Sequence, residues 1–188
     1  MTSVILVDTI KNSLDSADTV AFAGGIYAPG SVIQVQNTEL ETSGSQSSTS
    51  GSHAAVSGLS VNITPKSSSS KIWIQVRWCG EYGANGAWNS MWSITRNGTL
   101  IGRTSTDAGS GAYGLAPPTT SYGGGNDNSS TMEAVSYGYY DSPATTSQIT
   151  YQATFMQTST LTLYTNRTVS GSADEYGTSS ITAWEIAQ

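Results

Sequence analysis

Between Lys71 and Trp78 the chain reads KIWIQVRW, and this octet constrains the fold more than any other stretch. Ile72, Ile74, Val76 and Trp78 fall at every second position, with Trp73, Gln75 and Arg77 between them. A period of two sends the first set to one side of a pleated strand and the second to the other, so one face is built for burial. The alternation recurs elsewhere. LSVNI aligns Leu59, Val61 and Ile63, and Pro65 ends that strand because it has no N–H to give the ladder. QITYQATFM aligns Ile149, Tyr151, Ala153 and Phe155, while SVIQVQNTEL, TMEAVSYGYY, TLTLYTN and SSITAWEI read as further strands. In SMWSITRNGTLIG, Asn97-Gly98 suits a type I′ turn, which needs positive φ at both central positions, and predicts a hairpin of about 90–96 with about 99–103.

No window of 12 or more residues carries a sustained 3.6-residue apolar stripe, so helices are not expected. Eight or so strands with short turns and two long loops predict an all-β protein, an antiparallel β-sandwich of jelly-roll type. The loops are a Ser/Gly-rich stretch at about 41–58 and a Gly, Ser, Pro and Tyr stretch at about 105–130. Loops of the second length usually serve a function or a partner. The first 30 residues differ from the rest, with short apolar groups around Val4, Ile5, Leu6 and Phe22 separated by polar turns. They are expected to be an anchoring arm, 1–30, before one domain, 31–188, because 188 residues are too few for two independent cores.

Several functions are disfavoured by what the chain lacks. A net charge of -6, with Lys and Arg scattered singly, argues against a nucleic-acid partner, which needs clustered cations. One cysteine, Cys79, excludes an internal disulfide, and with one histidine, His53, it cannot furnish a zinc site. His53 has no Gly-x-Ser-x-Gly elbow to serve, and the glycine clusters match neither a dinucleotide nor a phosphate loop. Glu81, Asp107, Asp127, Glu133, Asp141, Asp174 and Glu175 could pair as glycosidase carboxylates only if folding brought two of them together, and solvated or turn-capping roles are commoner. Loop Asp and Asn residues, as in GGNDNSS, could hold calcium through oxygen ligands, though the spacing is not that of an EF-hand and leaves the question open. No enzyme, metal or cofactor is expected. TSVILVDTIKNSLDSAD lacks the basic start and cleavage site of a signal peptide, and no apolar run is long enough to span a membrane. A soluble product made in the cytoplasm is expected.

Aromatic residues are the one chemical excess: five Trp and ten Tyr against two Phe. Such side chains join an apolar face to a polar handle, which suits sugar stacking and protein interfaces. Trp73 stands on the polar side of its strand, where either a covering layer of its own chain or a neighbouring subunit would bury it. Trp88, Tyr113, Tyr122, Tyr137 and Tyr139 are further contact candidates, and Tyr140 raises the same choice. Trp78, Trp92 and Trp184 are expected in the core.

PGSVIQVQ, GLSVNITPKSSSSKIWIQV, WSITRNGTLIG, YYDSPATTSQITYQATF and ADEYGTSSITAWEIAQ together resemble a β-structured module of virion proteins in tailed bacteriophages, especially marine and cyanobacterial ones. The resemblance runs over roughly 29–188, and SVILVDTIKNS is similar to the opening of fibre-like members. It implies a non-enzymatic domain on the virion exterior, assembled in the host cytoplasm and commonly homotrimeric. The expected role is capsid decoration, cement or head fibre, because 188 residues with an arm of about 30 leave no shaft to reach a distant receptor, with the major capsid protein or tail components as partners. A short tail fibre or adhesin on host-surface glycans and a free carbohydrate-binding module are the alternatives. CGEYGANGAWNS and the 105–130 loop are more elaborate than the family's plain form.

Overall fold

The computed structural model describes residues 27–48, 51–83, 89–103, 111–119, 131–170 and 175–188. Among them are ten strands and no helix: β1 (Val32–Leu40), β2 (Gly44–Ser48), β3 (Ala54–Ile63), β4 (Lys71–Tyr82), β5 (Ser90–Arg96), β6 (Thr99–Ile101), β7 (Glu133–Asp141), β8 (Ile149–Gln157), β9 (Leu161–Thr165) and β10 (Ser179–Ile186). They form two antiparallel sheets in a sandwich-like arrangement, one of six strands and one of four, ordered β3-β8-β5-β6.

The six-stranded sheet is simpler than its strand count. β4 pairs with β7 along one edge, from Ile72 opposite Asp141 to Gly80 opposite Glu133. Its other edge is shared by two strands, β10 up to Arg77 and β9 from Gly80 onward. β1 and β2 divide the outer edge of that line in the same way, β1 on β10 and β2 on β9. Thus β9 and β10 are two parts of one row, interrupted by the connection 166–178, and β1 with β2 is another. Counted by rows in chain order, the six-stranded sheet runs first, eighth, third, sixth, and its partner runs second, seventh, fourth, fifth.

Asn166 holds the interruption closed. It is buried with φ of 60°, a left-handed conformation that Asn tolerates better than most residues. Its backbone N–H donates to the Cys79 carbonyl, its side-chain amide donates to the Leu40 and Thr42 carbonyls, and its Oδ1 accepts from the Ser179 hydroxyl. One side chain therefore satisfies the backbone groups that the broken rows leave over.

KIWIQVRW behaves as its alternation predicts. Ile72, Ile74, Val76 and Trp78 are wholly buried, and each such side chain contributes roughly 1.5–3 kcal/mol by leaving water. Ile149, Tyr151, Ala153 and Phe155 of β8 face them from the other sheet. Trp92 sits at the centre of an aromatic group, with ring centroids 4.9 Å from both Trp78 and Phe155 and 6.1 Å from Tyr137. The hairpin forms where Asn97-Gly98 places it, with φ of 49° and 81° at the two turn residues.

Two expectations need correction. The Ser/Gly stretch at about 41–58 contains β2 and the start of β3 rather than a loop. β2 needs little packing because β9 supplies its backbone partners, and the Gln46 amide bridges to β3 through Ala55 and Ser57. Trp184 lies on the outer face of β10, while Glu185 is wholly buried. Ile181 and Ala183 set the inward parity, which carries residue 185 inside. The Glu185 carboxylate is satisfied there by the backbone N–H groups of Lys66 (2.8 Å) and Ser67 (3.2 Å) and by the Gln34 amide (2.6 Å). It thereby fastens the PKSSSS connection between the sheets.

Candidate functional site

The outer face of the six-stranded sheet is the surface on which the described chemistry concentrates. Register brings one transverse row together across four strands: Val35 opposite Trp184, Trp184 opposite Trp73, and Trp73 opposite Tyr140. Val35 and Tyr140 are each 48% exposed, and the two indoles are half-buried. Trp73 lies over its own sheet because β7 offers a glycine beneath it. A Cβ on Gly138 would come 2.5 Å from Cζ2 and 2.6 Å from Cη2 of the indole. The Tyr140 ring meets Trp73 at 5.3 Å between centroids. Part of the apolar area of Trp73 is therefore covered within the chain.

Further along the same face lies an open depression of about 310 Å³. Its lining comes from Glu39 of β1, Gln75 and Arg77 of β4, Ser136 of β7, and Ser180 and Thr182 of β10. Arg77 is steadied by one hydrogen bond, from Nη2 to the Thr178 carbonyl at 2.6 Å, which leaves most of its five N–H donors uncommitted. Arg96 pairs with Asp141 at 2.9 Å, whereas neither Arg77 nor Glu39 has a charged partner among the described residues.

The contact candidates scatter. Trp73 occupies the outer face as its parity predicts. Tyr137 was expected at a contact surface, but it points inward at 8% exposure and donates from its hydroxyl to the Ser93 carbonyl at 2.8 Å. Burial pushes that phenol well above its usual range. Tyr139 shares its parity and is half-buried against the core, so Tyr140 alone of the three faces outward. Tyr113 lies far from Trp73 in the chain's layout, on the segment 111–119 that bonds to β5 through Leu115 and Ala116. Trp88, Tyr122, Val4, Ile5, Leu6 and Phe22 lie outside the described residues. Trp184 and Val35 were not singled out as contact residues. The signal that finds Trp184 is the inward parity of Ile181 and Ala183, which outweighs the usual exposure of glutamate.

Three of the candidate carboxylates are occupied with structure. Asp141 accepts from both Arg96 and the Tyr151 hydroxyl, Glu81 accepts from the Val169 N–H, and Glu175 accepts from the Met132 N–H. Asp107, Asp127 and Asp174 lie outside the described residues.

His53 joins three segments. Its Nε2 donates to the Tyr113 carbonyl at 2.7 Å, which fixes the neutral tautomer, and Nδ1 accepts from the Thr154 hydroxyl at 3.1 Å. Burial lowers its pKa from 6.5, against the opposing pull of the Tyr113 carbonyl. Below about pH 6.5 the unfolded chain therefore binds more protons at this site than the folded one. The stability it lends is complete above that pH, declines as pH falls, and levels off below the folded pKa. Urea midpoints should fall more between pH 7.5 and 5 in the native protein than in His53→Gln. Equal declines would refute this.

No protein-family model matches the chain, and comparison with curated proteins gives no significant match.

Proposed function

We propose that this chain is a bacteriophage virion structural protein on the particle exterior, of capsid-decoration, cement or head-fibre type. In this reading residues 1–30 hold it to the shell and the sandwich is displayed outward. The observation that carries the proposal is the row order, first-eighth-third-sixth over second-seventh-fourth-fifth. We read it as a jelly roll, a chain folded back once on itself and rolled so that row pairs one and eight, two and seven, three and six, and four and five lie together. Viral capsid and lectin domains use that arrangement. The resemblance to virion modules points the same way, and Asp141, Glu81, Glu175 and Glu185 are engaged in structural bonds.

A homotrimer belongs to the same proposal. Trp73 already rests on Gly138, so the stronger candidate for a subunit contact is the free edge of β1, where Val32 is 53% and Val35 48% exposed. Edge strands with apolar side chains are commonly covered by a neighbour. Light scattering should give a trimer that Val35→Lys dissociates. The full chain should bind shells lacking it, whereas residues 31–188 should not. A monomer without affinity for shells would overturn the proposal.

A second reading, a glycan-binding adhesin or carbohydrate module, is favoured by one observation: the aromatic row and the polar depression adjoin on one face.

A further inference from the structure

We infer that the middle of this outer face is a binding site for a neutral saccharide, with Trp73 as the stacking platform and the depression beside it as the hydrogen-bonding wall. The inference deepens the glycan-binding reading and rests on it. Trp73, Gln75 and Arg77 are successive outward residues of one strand, spaced roughly 7 Å apart, about the pitch at which one sugar ring reaches two neighbours. The tip of the Trp73 indole lies over Gly138, which stands opposite Gln75. Platform and wall therefore meet at Gln75 with no side chain rising from β7 between them. All three are carried on a central strand bonded along both edges, so the site is preorganised.

The lining selects the ligand class. One cation, Arg77, and one anion, Glu39, flank the depression without ionic partners among the described residues; Gln75, Ser136 and Ser180 add groups that both donate and accept, and Thr182, whose hydroxyl donates to Asn37, adds an acceptor. A sugar hydroxyl also donates and accepts, so it can satisfy both signs of wall. An anionic ligand would face Glu39 and a protein of net charge -6. A cationic one would face Arg77, and an apolar peptide would strand the polar groups without water. The C–H face of a pyranose matches the indole, as such amphipathic rings do. The volume of about 310 Å³ lies at the small end of ligand pockets, roughly 300–1,000 Å³, which suits one or two sugar units.

The test is a titration of the full chain, followed by NMR of the Trp indole N–H signals, with cellohexaose and fully N-acetylated chitohexaose as neutral probes and trigalacturonate as the anionic one. At least one neutral probe should shift a single indole signal at millimolar concentration. That signal should disappear in Trp73→Phe, which keeps an aromatic ring over Gly138. Arg77→Gln and Gln75→Ala should each weaken binding about tenfold while the denaturation midpoint stays unchanged. Silence from both neutral probes, binding that survives Arg77→Gln and Gln75→Ala, or stronger binding of trigalacturonate would overturn the inference. Shell binding is read separately, so its loss bears on the virion proposal and leaves this result intact. Glycan binding at a different indole would sink the site while sparing the broader adhesin reading.

Discussion

Gly80→Ala should destabilise the protein by at least about 3 kcal/mol, enough to leave much of it unfolded at 37 °C, because the added methyl has nowhere to go. Gly80 is paired on both sides, with Thr165 of β9 and with Glu133 of β7. A Cβ there would lie 2.0 Å from the Tyr164 carbonyl oxygen and 2.7 Å from Cζ2 of Trp78. The oxygen is backbone and cannot turn aside as a side chain would, so relief requires β9 to leave β4. The φ of 155° adds a conformation that side-chain-bearing residues adopt reluctantly. Urea denaturation followed by tryptophan fluorescence checks this, and a midpoint loss worth under about 1 kcal/mol would contradict it.

Trp92→Ala should cost a comparable amount, about 3–5 kcal/mol, by emptying the middle of the aromatic group. Trp92 is fully buried between Trp78, Phe155 and Tyr137, and no single neighbour can fill the space of an indole. Its Nε1–H also donates to the Tyr82 hydroxyl at 3.0 Å. Trp92→Phe separates the two contributions: it keeps most of the packing and removes the donor, so about 1–2 kcal/mol should be lost. Tyr82 lies at 4% exposure, where burial raises its pKa, so a lost partner is poorly replaced by water. Equal losses in the two variants would mean that the hydrogen bond, not the filled volume, dominates.

Strand periodicity was plainly legible. The inward sets of β4 and β8 stand in the alternation of KIWIQVRW and QITYQATFM, and Asn97-Gly98 marks the hairpin, because in each case a local pattern meets a local physical need. β2 was hidden, since Gly44–Ser48 becomes a strand through backbone bonds to residues more than a hundred positions away. Trp184 misled for a related reason. Hydropathy alone places tryptophan inside and glutamate outside, and the backbone donors of Lys66 and Ser67, distant in sequence, together with the Gln34 amide make a buried Glu185 acceptable.

The candidate face was half legible. Trp73 announced itself by standing on the wrong side of an alternating strand. Tyr137 and Tyr139 did not reveal their side, because a run of aromatics in SYGYY looks alike in either parity. The partners of Trp73 follow from register, and register between β1, β10, β4 and β7 is set by the whole sheet. No local reading supplies it.

Val32 lies opposite Ile186, and that adjacency has a consequence in time. The row that separates β1 from β4 contains β10, which is synthesised after every other described strand. Until it emerges, β1 has no partner along residues 32–40 and β4 has one edge open over residues 71–77. Closing contacts of such long range is slow, and waiting edges invite pairing with other chains. During synthesis the protein must therefore hold its half-built sheet apart from its neighbours, and its yield should depend on how quickly the final row arrives.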